Sequence, residues 1–271
     1  FMIISSATTH SRDKNWIERN LLGYNATLTD VTSGYTVLSL QGPKSREILE
    51  KVSTADFSNT SFPFSTSQEI ELGYAKVIAN RLTYIGELGW ELHIPTEFSQ
   101  HVFDTIWESG LDHGIKAAGY HALEHLRCER AYREYELDLT PEDTPYEAGL
   151  GFTVSIDKTM PFNGKEALLR QKQTKPLKKR LVMFKLKNSE PVLFHEEPIR
   201  MNDKIVGYIS SGAYSFNMNC SVGMGYVKHA DGVTKELVSN EKWSIEIATE
   251  KYEAEASLRS FFDPESKRIL M

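Results

Sequence analysis

Cysteine is nearly absent: Cys128 and Cys220 are the two thiols in 271 residues. They lie far apart and lack metal-type spacing, which excludes a disulfide scaffold and suits a reducing compartment. Long apolar runs are missing as well; the longest fall far short of the roughly 20 residues that cross a bilayer, so no membrane span is expected. No basic excess exists either. A net charge of -6 leaves no general pull toward phosphate backbones, and no nucleic-acid partner is expected. Neither a G-x-x-x-x-G-K loop nor a G-x-G-x-x-G after a strand occurs, so nucleotides and flavins have no obvious seat. The serine elbow G-x-S-x-G of hydrolases is absent too. Three Asn-x-Ser/Thr triplets occur, at Asn25, Asn59 and Asn219, but no secretory signal precedes them and they are read as fortuitous. The opening Phe1-Met2-Ile3-Ile4 lacks the charge of a targeting segment and reads as a buried strand cut from a longer polypeptide.

What is present describes a folded chain. Hydrophobic residues make up 40% and charged residues 25%, values of ordinary globular proteins that argue against disorder and coiled coil. The length suits two domains of about 100 to 200 residues each. Asp13 to Leu22 reads as a helix with Trp16, Ile17 and Leu21 on one face. The apolar strand Tyr35 to Leu40 runs into Gln41-Gly42-Pro43, a turn that opens a helix over Lys44 to Val52. Strand character covers Glu69 to Asn80 and Trp90 to Ile94. Phe98 to Ser109 spaces Val102, Phe103, Ile106 and Trp107 as a helix does. A further helix over Tyr120 to Arg133 would bury Ala122, Leu123, Leu126 and Ala131. The polar and basic stretch Gln171 to Arg180 is the linker candidate. Beyond it, Leu181 to Leu186, Lys204 to Ser210, Ser221 to Val227 and Trp243 to Ile247 show the short, punctuated strands of a small barrel.

Three constellations could carry chemistry. His121-Ala122-Leu123-Glu124-His125 fits the H-x-x-E-H pattern, which sets two imidazoles on one helical face with a glutamate base. Zinc catalysis also needs a third ligand, and nothing singles one out, so no metal is expected. Thr83 to Leu92, with Gly86 and Gly89, makes a tight bend that projects Glu87 and Glu91. An ionised acid there could accept two parallel N–H donors, such as the edge of a pterin ring, or simply stand in solvent at a hairpin turn. Arg127 could clamp a carboxylate tail or pair with Glu124 three residues back.

Four motifs in order, Leu40-Gln41-Gly42-Pro43, Tyr84-Ile85-Gly86-Glu87-Leu88-Gly89-Trp90-Glu91-Leu92, Thr144-Pro145-Tyr146-Glu147-Ala148-Gly149-Leu150 and Gly223-Met224-Gly225-Tyr226-Val227, resemble the aminomethyltransferase fold of the glycine cleavage T-protein. Asp138 to Asp143 and the closing Phe262-Asp263-Pro264 resemble the version at the C-terminal end of sarcosine and dimethylglycine dehydrogenases, closest to the sarcosine branch. The resemblance implies an α+β fold. An aminomethyltransferase-like folate-binding domain, truncated at its N-terminus, would span residues 1–172, and a small C-terminal β-barrel residues 173–271. It implies tetrahydrofolate as cofactor, with Glu87 holding the pterin, Tyr84 packing beside it, Arg127 and Tyr135 near the ligand, and Glu91 as a lesser contact. Ile85 stands where the common motif has threonine. FAD would belong to a dehydrogenase domain upstream in the same polypeptide, absent from this chain. The acid that the family places near the reactive folate nitrogens would lie upstream of Phe1, so no catalytic residue is assigned. A mitochondrial matrix location follows from the same resemblance. Two other readings use the same fold: a non-catalytic regulatory module like that of pyruvate dehydrogenase phosphatase, and the T-protein of glycine cleavage itself.

Overall fold

A computed structural model describes residues 1–174 and 176–271. Two units share the chain. The first is built on a four-stranded antiparallel sheet of β1 (Tyr35–Gln41), β2 (Ser67–Leu72), β3 (Ala75–Asn80) and β4 (Gly89–Pro95), in the order β1-β4-β3-β2. Residues of β4 alternate as the pleat requires. Trp90, Leu92 and Ile94 enter a core shared with Ile48 and Leu49 of α2 (Ser45–Val52) and Val102 and Ile106 of α3 (Ser99–Gly110). The expected strand over Glu69 to Asn80 is a hairpin, β2 and β3, turned by Gly73-Tyr74. Gly73 has φ +57°, and His101 packs so closely that a side chain there would strike the imidazole. Only glycine meets both conditions.

The second unit is a closed barrel. Its strands are β5 (Lys179–Leu186), β6 (Pro198–Met201), β7 (Lys204–Ser215), β8 (Cys220–Lys228), β9 (Trp243–Ile247) and β10 (Glu250–Ser257), paired around the ring as β10-β5-β8-β7-β6-β9. Closure removes free sheet edges. Where β7 and β8 approach most closely, a Cβ on Gly207 would meet the Tyr226 carbonyl and one on Gly225 the Tyr208 carbonyl. Val182, Phe184, Ile199, Ile209, Val227 and Ile245 fill the interior. A third cluster, of Cys128, Ala131, Leu181, Met183, Val222 and Met224, lies where the helix α4 (Tyr120–Glu129) packs on β7 and β8. That contact joins the two units.

Four expectations are corrected. Phe1 to Ile4 is exposed and pairs with no strand among the described residues, because no neighbouring backbone is placed to complete its hydrogen bonds. Helix α1 (His10–Asn20) forms, but Trp16 remains 57% exposed and the anticipated apolar face stays half-buried or open. Helix α4 ends at Glu129, and its buried residues are Arg127, Cys128 and Glu129 in place of Ala122, Leu123 and Leu126. Hydrogen bonds joining Arg127 and Glu129 to Ser211, Ser215 and Asn217 of the barrel unit take the place of the apolar stripe. Ala131 is buried, but beyond the helix, at φ +58°. The linker candidate is partly ordered structure: α5 (Lys165–Gln173) runs into it and β5 begins at Lys179, while Lys175 lies outside the described residues.

Trp90 links the core to the bend that precedes it. Its ring meets Phe57 edge-on at 5.4 Å and Phe62 at 6.0 Å, and the Arg81 guanidinium lies 5.5 Å from its centre. We expect Trp90→Ala to cost the first unit about 3 to 5 kcal/mol, read as a lower urea midpoint by circular dichroism. A loss under about 1 kcal/mol would mean that the bend does not depend on this core.

Candidate functional site

The bend between β3 and β4 is organised by one hydroxyl. Thr83 Oγ1 accepts the backbone N–H groups of Ile85 at 3.2 Å, Gly86 at 3.0 Å and Glu87 at 3.3 Å. Gly86, at φ +74°, has the aliphatic part of Arg130 against it where a Cβ would be, so a larger residue is excluded on two counts. On the other side the Leu88 carbonyl accepts the Gly42 N–H at 2.7 Å and Ser45 Oγ at 3.1 Å. The Gln41-Gly42-Pro43 turn and the Gly86 to Gly89 bend, 45 residues apart in the chain, thus brace each other.

Glu87 leaves this bend only 8% exposed. Its Oε1 accepts Arg268 Nε at 2.7 Å, and its buried Oε2 has no partner among the described residues. An unpartnered buried carboxylate oxygen is costly and marks a place where a donor is missing. Tyr84, three residues earlier, stacks on Tyr132 at 6.3 Å and donates its hydroxyl to the Arg133 carbonyl at 3.2 Å. Burial pushes its phenol well above the usual range. Tyr84, Tyr132, Arg130 and Arg133 line a cavity of about 530 Å³ together with Leu258, Pro264 and Ser266 of the C-terminal tail. The cavity therefore sits between the two units.

The other expected residues lie in different places. Glu91 is half-buried on β4, opposite Ser39 and Asn80, on the sheet face away from Trp90 and Leu92. Tyr135 is half-buried beneath the Arg12 guanidinium, 4.5 Å from its ring centre. Arg127 is buried, and its five N–H donors make six contacts inside the protein, one of them shared at Nη2. They reach Glu124 Oε2 at 2.9 and 2.6 Å, the Tyr132 carbonyl at 3.2 Å, Asp138 Oδ2 at 2.7 Å, Glu134 Oε2 at 3.2 Å and Ser211 Oγ at 3.0 Å. Burial opposes its charge, but Asp138 and Glu124 more than compensate and hold its pKa above the ordinary value. No donor remains for a ligand carboxylate. The Glu134 carboxyl is raised too: burial, then the neighbouring Glu124 charge, lifts it above the usual range.

The His-x-x-x-His pattern does not converge. His125 Nδ1 lies 3.0 Å from the Tyr214 carbonyl and its ring stacks on Phe216, while Glu124 serves Arg127. No group of three metal-ligating side chains occurs among the described residues. Asp138, wholly buried against Arg127, was visible in sequence only as the start of a motif. Two residues at the site had no signal there: Arg130, which fills the space beside Gly86, and Arg268, 181 residues from its partner Glu87. The adjoining Asp-Pro turn was visible as a motif, but its long-range contact was not.

A braced carboxylate bend packed against a closed C-terminal barrel defines a family, and comparison agrees. The GCVT N-terminal domain profile matches residues 1–158 and the glycine cleavage T-protein C-terminal barrel domain residues 179–263: the chain belongs to the glycine cleavage T-protein family. Within it, the chain is 37% identical over 261 residues to mitochondrial sarcosine dehydrogenase of Mus musculus, covering 94% of this chain and 28% of that one. It is 34% identical over 278 residues to the mitochondrial regulatory subunit of pyruvate dehydrogenase phosphatase of the same species, covering 97% and 32%. These curated relatives are thus about three times longer. The fold matches the crystal structure of aminomethyltransferase T from Bartonella henselae, with a TM-score of 0.77 at 22% identity, covering 94% of this chain and 66% of that one.

Two outcomes follow from the charged cluster. Arg127→Ala would leave Asp138 buried and unpaired, and we expect a loss of about 3 to 5 kcal/mol, measured by chemical denaturation; an unchanged midpoint would refute the cluster's structural role. For Glu134, a folded pKa raised above the unfolded one means that the native state prefers the protonated acid. Stability is then lost as pH rises from the ordinary carboxylate range through the raised value. Glu134→Gln should accordingly match wild type near about pH 4 and gain melting temperature relative to it near about pH 7.5. A gain that is instead largest in acid would reverse the assignment.

Proposed function

We propose that this chain is the tetrahydrofolate-binding, one-carbon-accepting part of a flavin-dependent dehydrogenase of the sarcosine and dimethylglycine type. The observation that carries the reading is Glu87: a buried carboxylate with one unpartnered oxygen, on the bend whose Thr83 and Tyr84 line a cavity shared with the barrel unit. The residues fit the cofactor. A pterin presents two adjacent N–H donors, and an ionised carboxylate is an acceptor-only group that takes such a fork with both oxygens. Tetrahydrofolate, when bound, supplies nitrogens that capture a one-carbon unit at the oxidation level of formaldehyde, giving 5,10-methylenetetrahydrofolate.

The protein's share is positioning. Thr83 and Gly86 aim Glu87, and Tyr84 offers an aromatic wall. Tyr135 and Glu91, which do not line the cavity, are secondary candidates for ligand contact in this reading. Arg127 contributes indirectly, by anchoring α4 to the barrel and so placing Arg130 and Arg133 at the cavity. Correct placement of two reactants can contribute about 7 to 11 kcal/mol in well-oriented cases, so a folate platform requires few acid or base groups of its own. In this reading residues 1–172 form the folate-binding domain and 173–271 its barrel. A flavin domain upstream in the same polypeptide makes the reactive iminium from an N-methyl amine, and the whole works in the mitochondrial matrix. Similarity to sarcosine dehydrogenase supports the parent enzyme. No helix of the described residues is long and apolar enough to cross a membrane.

Calorimetric titration with tetrahydrofolate tests the proposal. Saturable binding is expected, weakened about 10- to 100-fold by Glu87→Ala, the loss of a hydrogen bond to a charged group. Similarity to the phosphatase regulatory subunit supports a second reading, a non-catalytic interaction module. Absence of binding by a well-folded chain would favour it.

A further inference from the structure

The C-terminal tail covers the carboxylate that the proposed ligand must reach. After β10 the chain returns to the first unit, where Arg130 Nη1 donates to the Phe262 carbonyl at 2.6 Å and to the Asp263 carbonyl, and Nη2 donates to Ser266 Oγ at 3.0 Å. Asp263 then accepts the N–H groups of Lys267 at 2.9 Å and Arg268 at 3.0 Å. This tight turn delivers the Arg268 side chain to Glu87 Oε1 at 2.7 Å. Beyond it, Arg81 Nη2 holds the Ile269 carbonyl at 3.2 Å and Asn59 Nδ2 the Leu270 carbonyl at 2.8 Å.

Two features make this more than ordinary packing. First, a guanidinium and the 2-amino-4-oxo edge of a pterin present the same unit to an acid, two N–H donors on nitrogens that share one carbon. Arg268 uses only its Nε on Glu87, so the site is filled by the right chemistry but with half the fork, and Oε2 is left unpartnered and shut off from solvent. Second, the cover is held in a costly backbone. Asp263 at φ +42° and Ser266 at φ +56° both occupy the left-handed region, where residues other than glycine are strained.

We propose that the C-terminal tail is a strap that competes with the ligand's pterin edge for Glu87, with Arg268 as the competing group. The inference rests on the folate reading of Glu87. Ligand entry requires the turn at 263–268 to lift, and the two-donor edge then replaces the single Arg268 contact. The apparent affinity is reduced by the fraction of molecules in which the strap is closed.

The test uses the full chain. Tetrahydrofolate is titrated into wild type, Arg268→Ala and the double variant Arg268→Ala with Glu87→Gln. Hydrogen exchange of residues 263–271 is followed in wild type with and without ligand. The expected result is binding about five- to tenfold tighter in Arg268→Ala, loss of that gain in the double variant, and faster exchange of the tail when wild type binds. If wild type binds and Arg268→Ala binds no more tightly, with tail exchange unchanged, the strap is overturned while the folate reading stands; Arg268 would then orient Glu87. A gain that survives in the double variant overturns it too, since the competition would not be at Glu87. If neither wild type nor Arg268→Ala binds while both keep their melting temperatures, the strap and the folate reading fall together.

Discussion

A guanidinium enclosed by protein is the constraint on which this structure turns. Arg127 is removed from water at the joint between the two units, and such burial is tolerable only if its donors are matched and its charge balanced. Glu124 on its own helix, Asp138 and Glu134 on the following loop, and Ser211 on the barrel do both. Ser211 also donates to Asp138 at 3.0 Å, so helix, loop and barrel are tied at one point. An apolar joint of the same size could be more stable, but it would tolerate sliding; hydrogen bonds with fixed directions do not. The register so imposed carries three residues further, to Arg130, whose side chain fills the space that Gly86 leaves open.

The proposed site inherits its geometry from that joint without belonging to either unit alone. The first unit supplies Thr83 and Tyr84 of the bend that carries Glu87, the loop after α4 supplies Tyr132 and Arg133, and the barrel unit supplies Met183, Met224 and the tail. Such placement is usual for ligand cavities, which favour the seams between domains. It also explains why the residues nearest Glu87 are held by backbone carbonyls and hydroxyls more than by apolar packing. Each has to be aimed as well as buried.

How much of this could be read beforehand depends on the range of the interaction concerned. The strand, turn and helix around Gln41-Gly42-Pro43 and the strands of the barrel were legible because periodicity and turn residues act locally. The bend at Glu87 was legible for the same reason, since two glycines within four residues leave few conformations. Helix α4 was misread, because an apolar stripe is the usual signature of a buried face and here the buried face carries Arg127 and Glu129. Their partners, Ser211 for the one and Ser215 and Asn217 for the other, lie more than eighty residues away. Nothing in the local pattern announces them. Phe1 to Ile4 failed in the opposite sense: its apolar run is a sound strand signal, but a strand also needs a neighbour, which no window of sequence supplies.

The chain order gives the tail a distinct place in the life of the molecule. Residues 263–271 leave the ribosome well after the group they cover, since Glu87 was made 181 residues before Arg268. Closing so large a loop is entropically slow to pay off, and domains tend to fold in order of synthesis. The first sheet, its core and the Glu87 bend can therefore be complete while the carboxylate is still open to solvent. Assembly passes through an uncovered form of the site before it reaches the covered one, and a small molecule present during synthesis meets Glu87 before Arg268 does.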